Sequence, residues 1–153
     1  MNTARLLNLR WIVQLQEVIV TPETIILATP AYSSTLEELF NKECSSLKTA
    51  RAIYMLANAV ICLKNYGIAH RGIGPRTVLV HEQPKLQVKL CSFVRSTSYL
   101  DNDTFPKVKS SDYNPQECNW VAGSHNWDLF SLSMIILEWH LRRAGVIKKD
   151  MKE

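Results

Sequence analysis

Residues 127–139, WDLFSLSMIILEW, are apolar almost all round. A helix with no polar face must be covered on every side, so this segment is expected at the centre of its domain with the other elements arranged about it. Ser124 or Asn126 stands where a side chain can cap its start. A basic tail follows from Arg142 onward.

A second, longer helix is expected over residues 46–66. Ile53, Leu56, Ala57, Val60 and Ile61 fall on one helical stripe. Asn65-Tyr66-Gly67 is its stop, with glycine where a left-handed cap is needed. TLEELF, residues 35–40, reads as a short helix after a loop over 30–34. IVQLQEVIV (12–20) and TIILAT (24–29) read as strands, rich in β-branched residues and joined as a hairpin across Thr21-Pro22-Glu23. TVLV (77–80) and QVKLCSF (87–93) form a second strand pair around the turn HEQPK. Residues 95–126 are polar and aperiodic, a length that marks a functional or disordered loop. The expected class is α+β.

The totals bound the function. A chain of 153 residues, 46% hydrophobic and 21% charged, is enough for one globular domain with one core. The net charge of +4 is spread along the chain. Its densest cluster, Lys148-Lys149-Asp150-Met151-Lys152, contains an acid and reads as a solvated tail, so nucleic acid is not an expected partner. Cys44, Cys62, Cys91 and Cys118 form no Cys-x-x-Cys pair, and His70, His81, His125 and His140 are scattered, so no metal is expected. Cys62 and Cys91 sit among apolar neighbours, as buried reduced thiols do, which points to cytosol or nucleus. No apolar signal core follows the first five residues. The longest apolar run, from Ile53 to Leu63, is too short to span a bilayer, so no membrane is expected either. The sequon Asn102-Asp103-Thr104 carries no meaning in a reducing compartment.

HRGIGPRTVLV, residues 70–80, has the frame of a catalytic loop and nothing in it that does chemistry. Taken alone, His70 reads as a core histidine bonded to backbone, because a catalytic histidine needs a nucleophile beside it. Taken with its surroundings, the loop resembles the protein kinase catalytic loop, His-Arg-Asp-x-Lys-Pro-x-Asn. VKLCSFV is similar to the strand that ends in Asp-Phe-Gly, and YNPQE (113–117) to the Ala-Pro-Glu that closes the activation segment. WDLFSLSMIILEW resembles the buried helix that follows, and IVQLQEVIVTPETIILAT the two strands that lead to the hinge. Five motifs in one order cover nearly the whole chain.

The resemblance implies a partial kinase-like fold: a remnant small-lobe hairpin and hinge approach in residues 1–30, then the first half of a mainly helical large lobe in 31–153, ending near the central helix. The Gly-rich loop and small-lobe lysine of a kinase are expected to be missing, as are its later helices. It also implies a dead site. The catalytic Asp position is Gly72, the loop Lys position is Gly74, the Mg²⁺-binding Asn position is Thr77 and the Asp-Phe-Gly Asp position is Ser92; the glycine of that motif is Val94. Phosphoryl transfer depends on positioning and charge neutralisation, and losing one such group commonly costs ~10²–10⁴-fold. His70 and Phe93 match the large-lobe part of the stack that links kinase lobes. Val78, Leu79 and Val80 match the strand beneath adenine, and Asp128 the helix carboxylate that holds the catalytic-loop backbone.

The expected function is therefore that of an inactive kinase-like module, a pseudokinase, that binds another protein through an uncovered large-lobe face. No cofactor is expected. ATP without Mg²⁺ is the open alternative, as is residual phosphotransfer, and so is a truncated chain without function. Ala28 and Leu79 are the candidate remnants of an adenine pocket; without an upper sheet they are plain core residues. Arg71 either makes a surface or a local backbone contact or pairs with a phosphorylated Ser96, Thr97, Ser98, Thr104, Ser110 or Ser111. Trp127 and Trp139 are expected in the core, with part of their helix bare.

Overall fold

The longest element is the amphipathic helix that the stripe at 46–66 calls for. It appears in a computed structural model that describes residues 10–43, 46–82, 84–98, 112–115 and 126–147. In chain order the elements are β1 (Glu17–Val20), β2 (Ile25–Ala28), β3 (Ser34–Thr35), α1 (Leu36–Glu43), α2 (Leu47–Asn65), β4 (Ile68–Ala69), β5 (Val78–His81), β6 (Gln87–Leu90), β7 (Thr97–Ser98) and α3 (Asn126–Arg143). The protein is of mixed α and β structure, with three α-helices and small antiparallel sheets among the described residues.

Local chemistry sets the bounds of α1 and α2. Thr35 and Glu38 form a reciprocal capping box: the Thr35 N–H donates to Glu38 Oε2 (3.1 Å) and the Glu38 N–H to Thr35 Oγ1 (3.3 Å). Ser46 caps α2 by accepting from the Thr49 N–H at 3.2 Å. At the other end Gly67 takes a left-handed φ of 69° and donates to the Lys64 carbonyl at 2.9 Å, the stop read from the sequence. Ile53, Leu56 and Val60 are buried, but Ile61 of the expected stripe is 54% exposed. It lies at the edge of a stripe whose centre is Ala52, Leu56, Ala59 and Leu63.

Helix α2 is the centre of the fold. It packs against β6, α1, α3 and β4. Leu36, Leu39 and Phe40 of α1, Val78 and Val80 of β5, Val88 and Leu90 of β6, and Ile135 of α3 complete the core around it. The sheet order β3-β5-β6 is antiparallel, with Val80 opposite Val88 and Val78 opposite Leu90, so both pairs face inward together.

Several expectations need correcting. The run at 12–20 is not one strand. Ile12 forms a parallel bridge to Leu90 and is buried, whereas pairing with β2 begins only at Glu17. Its apolar side chain finds the core that the hairpin lacks. The strand at 87–93 ends at Leu90, and residues 93–95 make a 3-10 turn. Helix α3 is not covered on every side as its composition alone suggests, but has the bare part also expected of it. Trp127, Asp128, Ser131 and Ile135 form its one buried stripe, while Leu129, Phe130 and Leu137 are exposed. Apolar composition permits burial but supplies no neighbour to effect it; α2 covers one side only. Cys62 and Cys91 are half-buried free thiols, not fully buried ones. The tail expected from Arg142 begins as helix, since Arg142 and Arg143 are in the last turn of α3. Ser124, the sequon, Cys44, Cys118, His125, residues 148–153 and most of the 95–126 loop lie outside the described residues. No helix among the described residues is long and apolar enough to cross a membrane.

Candidate functional site

The loop 70–77 leaves β4 and enters β5. One carboxylate holds its first turn. Asp128, in the opening turn of α3, accepts the His70 N–H at 2.7 Å on Oδ2 and the Arg71 N–H at 2.9 Å on Oδ1. Both donors and the acceptor are buried. The arrangement fixes Arg71 in a left-handed conformation, φ 60°, which a non-glycine residue adopts only when its surroundings impose it. Burial raises the Asp128 carboxyl to about 6, against the opposing pull of the two N–H groups and of Arg71.

His70 is fully buried, and burial pushes it down to about 4, so the ring is neutral near pH 7. Its Nε2 lies 2.9 Å from the Cys91 carbonyl, which can only accept, so Nε2 carries the proton. Nδ1 is buried with no hydrogen-bond partner. The ring meets Phe93 edge-on at a centroid distance of 4.5 Å. This is the core histidine bonded to backbone that the sequence suggests. Arg71 is not a surface residue: it is 2% exposed, with its guanidinium 4.9 Å from the Trp127 ring centroid.

The four positions that the kinase resemblance singles out are arranged as follows. Gly72 and Gly74 have no side chain, and neither takes a positive φ. A Cβ at Gly72 would meet nothing closer than 3.7 Å, at Arg95 and His70; one at Gly74 would meet the Tyr113 ring at 3.5 Å. Both are ordinary contacts, so the backbone does not require glycine at either position. The Thr77 hydroxyl is engaged within the loop. It accepts from the Gly74 N–H (3.0 Å) and lies 2.9 Å from the Gly72 carbonyl and 3.1 Å from the Gly74 carbonyl. Ser92 is exposed, left-handed at φ 65°, and its side chain makes no capping hydrogen bond to the turn that follows. Val94 is 89% exposed. Burial raises the Cys91 thiol, which stays protonated and weakly nucleophilic.

Tyr113 is a participant that sequence reasoning missed. Its ring covers Gly74, its hydroxyl donates to Glu138 Oε2 at 2.6 Å, and its carbonyl accepts from Ser131 Oγ at 2.7 Å. Burial and the Glu138 carboxylate push its phenol well above the ordinary range. Arg142 closes the network, bonding Glu138 Oε1 at 2.7 Å and Asn41 at 3.0 Å. The NP dipeptide beside Tyr113 marks a turn in the sequence; nothing in it indicates a partner on α3.

Leu79 lines a pocket of about 360 Å³ with Thr29, Pro30, Tyr32, Ser33 and Glu38. Ala28 is not in its wall; its neighbour Thr29 is. Among the possible phosphoacceptors, Ser96 donates to the Phe93 carbonyl at 2.6 Å, while Thr97 and Ser98 form β7, paired with β4. Thr104, Ser110, Ser111 and Glu117 lie outside the described residues. No group of three or more His, Cys, Asp or Glu side chains converges among the described residues. A scan against models of known protein families finds no match, and a search of curated proteins finds none.

Proposed function

We propose that the chain is a catalytically inactive, kinase-like module that acts by binding another protein. The observation that carries this reading is the combination of a held frame and an empty site. Asp128 clamps the His70–Arg71 backbone from 57 residues or more away. His70 and Phe93 meet edge-on, a contact that supports the kinase-like reading of this pair. Yet Gly72 and Gly74 offer no side chain where nothing forbids one, and the Thr77 hydroxyl is tied to its own loop. A site under selection for phosphoryl transfer needs a carboxylate and a Mg²⁺ ligand set at these positions. The partner surface we assign is the bare side of α3, where Leu129, Phe130 and Leu137 are exposed.

A second reading, nucleotide binding without Mg²⁺, is favoured by the pocket beside Leu79. Thermal unfolding of the purified chain with and without ATP, each with and without Mg²⁺, separates the two. The scaffold reading expects a cooperative transition that ATP does not move. A ligand at ~100 times its dissociation constant would stabilise by ~2.7 kcal/mol. A shift of that size with ATP alone supports the second reading. Transfer of labelled phosphate that is lost on Ser92→Ala sinks the inactive reading.

A further inference from the structure

A cavity that the kinase-like reading does not involve lies beside β6. The main chain of residues 11–13 runs along the end of this strand. The Leu90 N–H donates to the Trp11 carbonyl at 2.7 Å and the Val13 N–H to the Leu90 carbonyl at 2.9 Å. These bonds fix Arg10 and Trp11 against the strand, where Gln87 and Lys89 share one face. Its volume is about 230 Å³. Trp11, Met55, Leu86 and Val88 give it an apolar wall, and Arg10, Lys85 and Lys89 supply its charge.

Among the described residues, three cations and no acid line this space. The ion pairs among the described residues are Lys48 with Glu82, Arg76 with Glu37, and Arg142 with Glu138; none neutralises the three. The Arg10 guanidinium sits 5.0 Å from the Trp11 ring centroid, so its position is set by the ring. Burial, and then the charge of Arg10, push the Lys89 ammonium below its ordinary value, as for like charges that share a concavity. The remedy for such a site is an anion. A phosphate monoester brings nearly two negative charges and three acceptor oxygens, which matches three cations around one cavity better than a carboxylate does. An apolar wall with a few converging polar groups is the ordinary form of a small-molecule site.

We propose that this cavity binds a small aromatic phosphate monoester, with the phosphate held by Arg10, Lys85 and Lys89 and the ring against Trp11 and Met55. The site stands whether or not the chain is kinase-like, because none of its walls belongs to loop 70–77 or to the Leu79 pocket.

The test is an NMR titration of the isotope-labelled full chain with phenyl phosphate, inorganic phosphate and benzyl alcohol. Phenyl phosphate is expected to give saturable shifts at the Trp11 indole N–H and the β6 amides, with a dissociation constant below ~1 mM. Inorganic phosphate should bind more weakly and benzyl alcohol should not saturate. Arg10→Gln, Lys85→Gln and Lys89→Gln should each weaken phenyl phosphate by about tenfold, as loss of one charge-assisted contact does. These side chains lie outside the core, and the parent pattern of dispersed amide signals in each variant checks that the fold is kept. Absence of saturation by ~10 mM would overturn the site. So would shifts that centre elsewhere, or affinity unchanged in the Arg10→Gln/Lys89→Gln double variant. Inorganic phosphate binding as tightly as phenyl phosphate would overturn the aromatic assignment.

Discussion

Asp128 and His70 titrate in opposite senses inside one hydrogen-bonded unit. The Asp128 carboxyl moves from 3.8 to about 6 on folding, so the folded state holds a proton that the unfolded state has lost; this contribution to stability is full below pH 3.8 and falls as pH rises to about 6. His70 moves from 6.5 to about 4, so the unfolded state takes a proton that the folded state refuses; this contribution is full above pH 6.5 and falls as pH drops towards 4. Each is worth about 3 kcal/mol at the limit of its window, and between pH 4 and 6 they oppose each other. Variants should expose them singly. Relative to the parent, His70→Gln should gain stability as pH falls from 6 to 4, and Asp128→Asn should lose it as pH falls over the same range. Urea unfolding across that range reads both. Asp128→Ala at neutral pH should cost roughly 2–5 kcal/mol, because two buried backbone N–H groups lose their acceptor. Parallel pH profiles for the parent and both variants would show that neither group carries the linkage.

At the scale of elements, burial and not strand or helix content decides what matters. Leu56 is fully buried at the centre of α2, and Leu56→Ala should cost ~2–5 kcal/mol. Ile25, in a strand of equally good propensity, is 68% exposed, and Ile25→Thr should change stability by less than ~0.5 kcal/mol. Thermal or urea midpoints of the two variants check the contrast. The same distinction explains what the sequence made legible. Helix α2 was readable because its stripe and its Gly67 stop are local signals. The hairpin β1–β2 was readable from β-branched residues on either side of a proline turn. The two-residue strands were not. Ile68 pairs with Ser98 and Ser34 with Val80, and such pairings are set by tertiary packing, not by propensity. The frame of loop 70–77 could be read from its residues, but the bonds that close it could not. Tyr113 reaches Gly74 from across the chain, and Arg10 comes to line one cavity with Lys89 because Trp11 is fastened to Leu90.

For the molecule as a whole, the unusual property is how much aliphatic surface its α2-centred core leaves out. The register of the hairpin pairs Val18 with Leu27 and Val20 with Ile25, so these four side chains stand on one face of the ribbon. All four are exposed, between 47% and 71%. Ile19 and Ile26 are exposed on the opposite face. Leu129, Phe130 and Leu137 add a second bare area on α3. Contiguous apolar area of this kind binds apolar partners in preference to water. A fluorescent apolar dye should therefore bind the folded chain at neutral pH and report the hairpin face directly. Val18→Lys with Leu27→Glu places opposite charges on a directly facing pair, which keeps the hairpin while removing half its aliphatic face. The double variant should bind markedly less dye with an unfolding midpoint within a few degrees of the parent, since neither position is buried. A matched Leu129→Lys/Leu137→Glu variant apportions the remainder to α3. Dye binding unchanged in both variants would mean that the exposed faces are not what the dye reads. A large fall in midpoint in the hairpin variant would mean that the hairpin is packed in solution against something the exposures do not register.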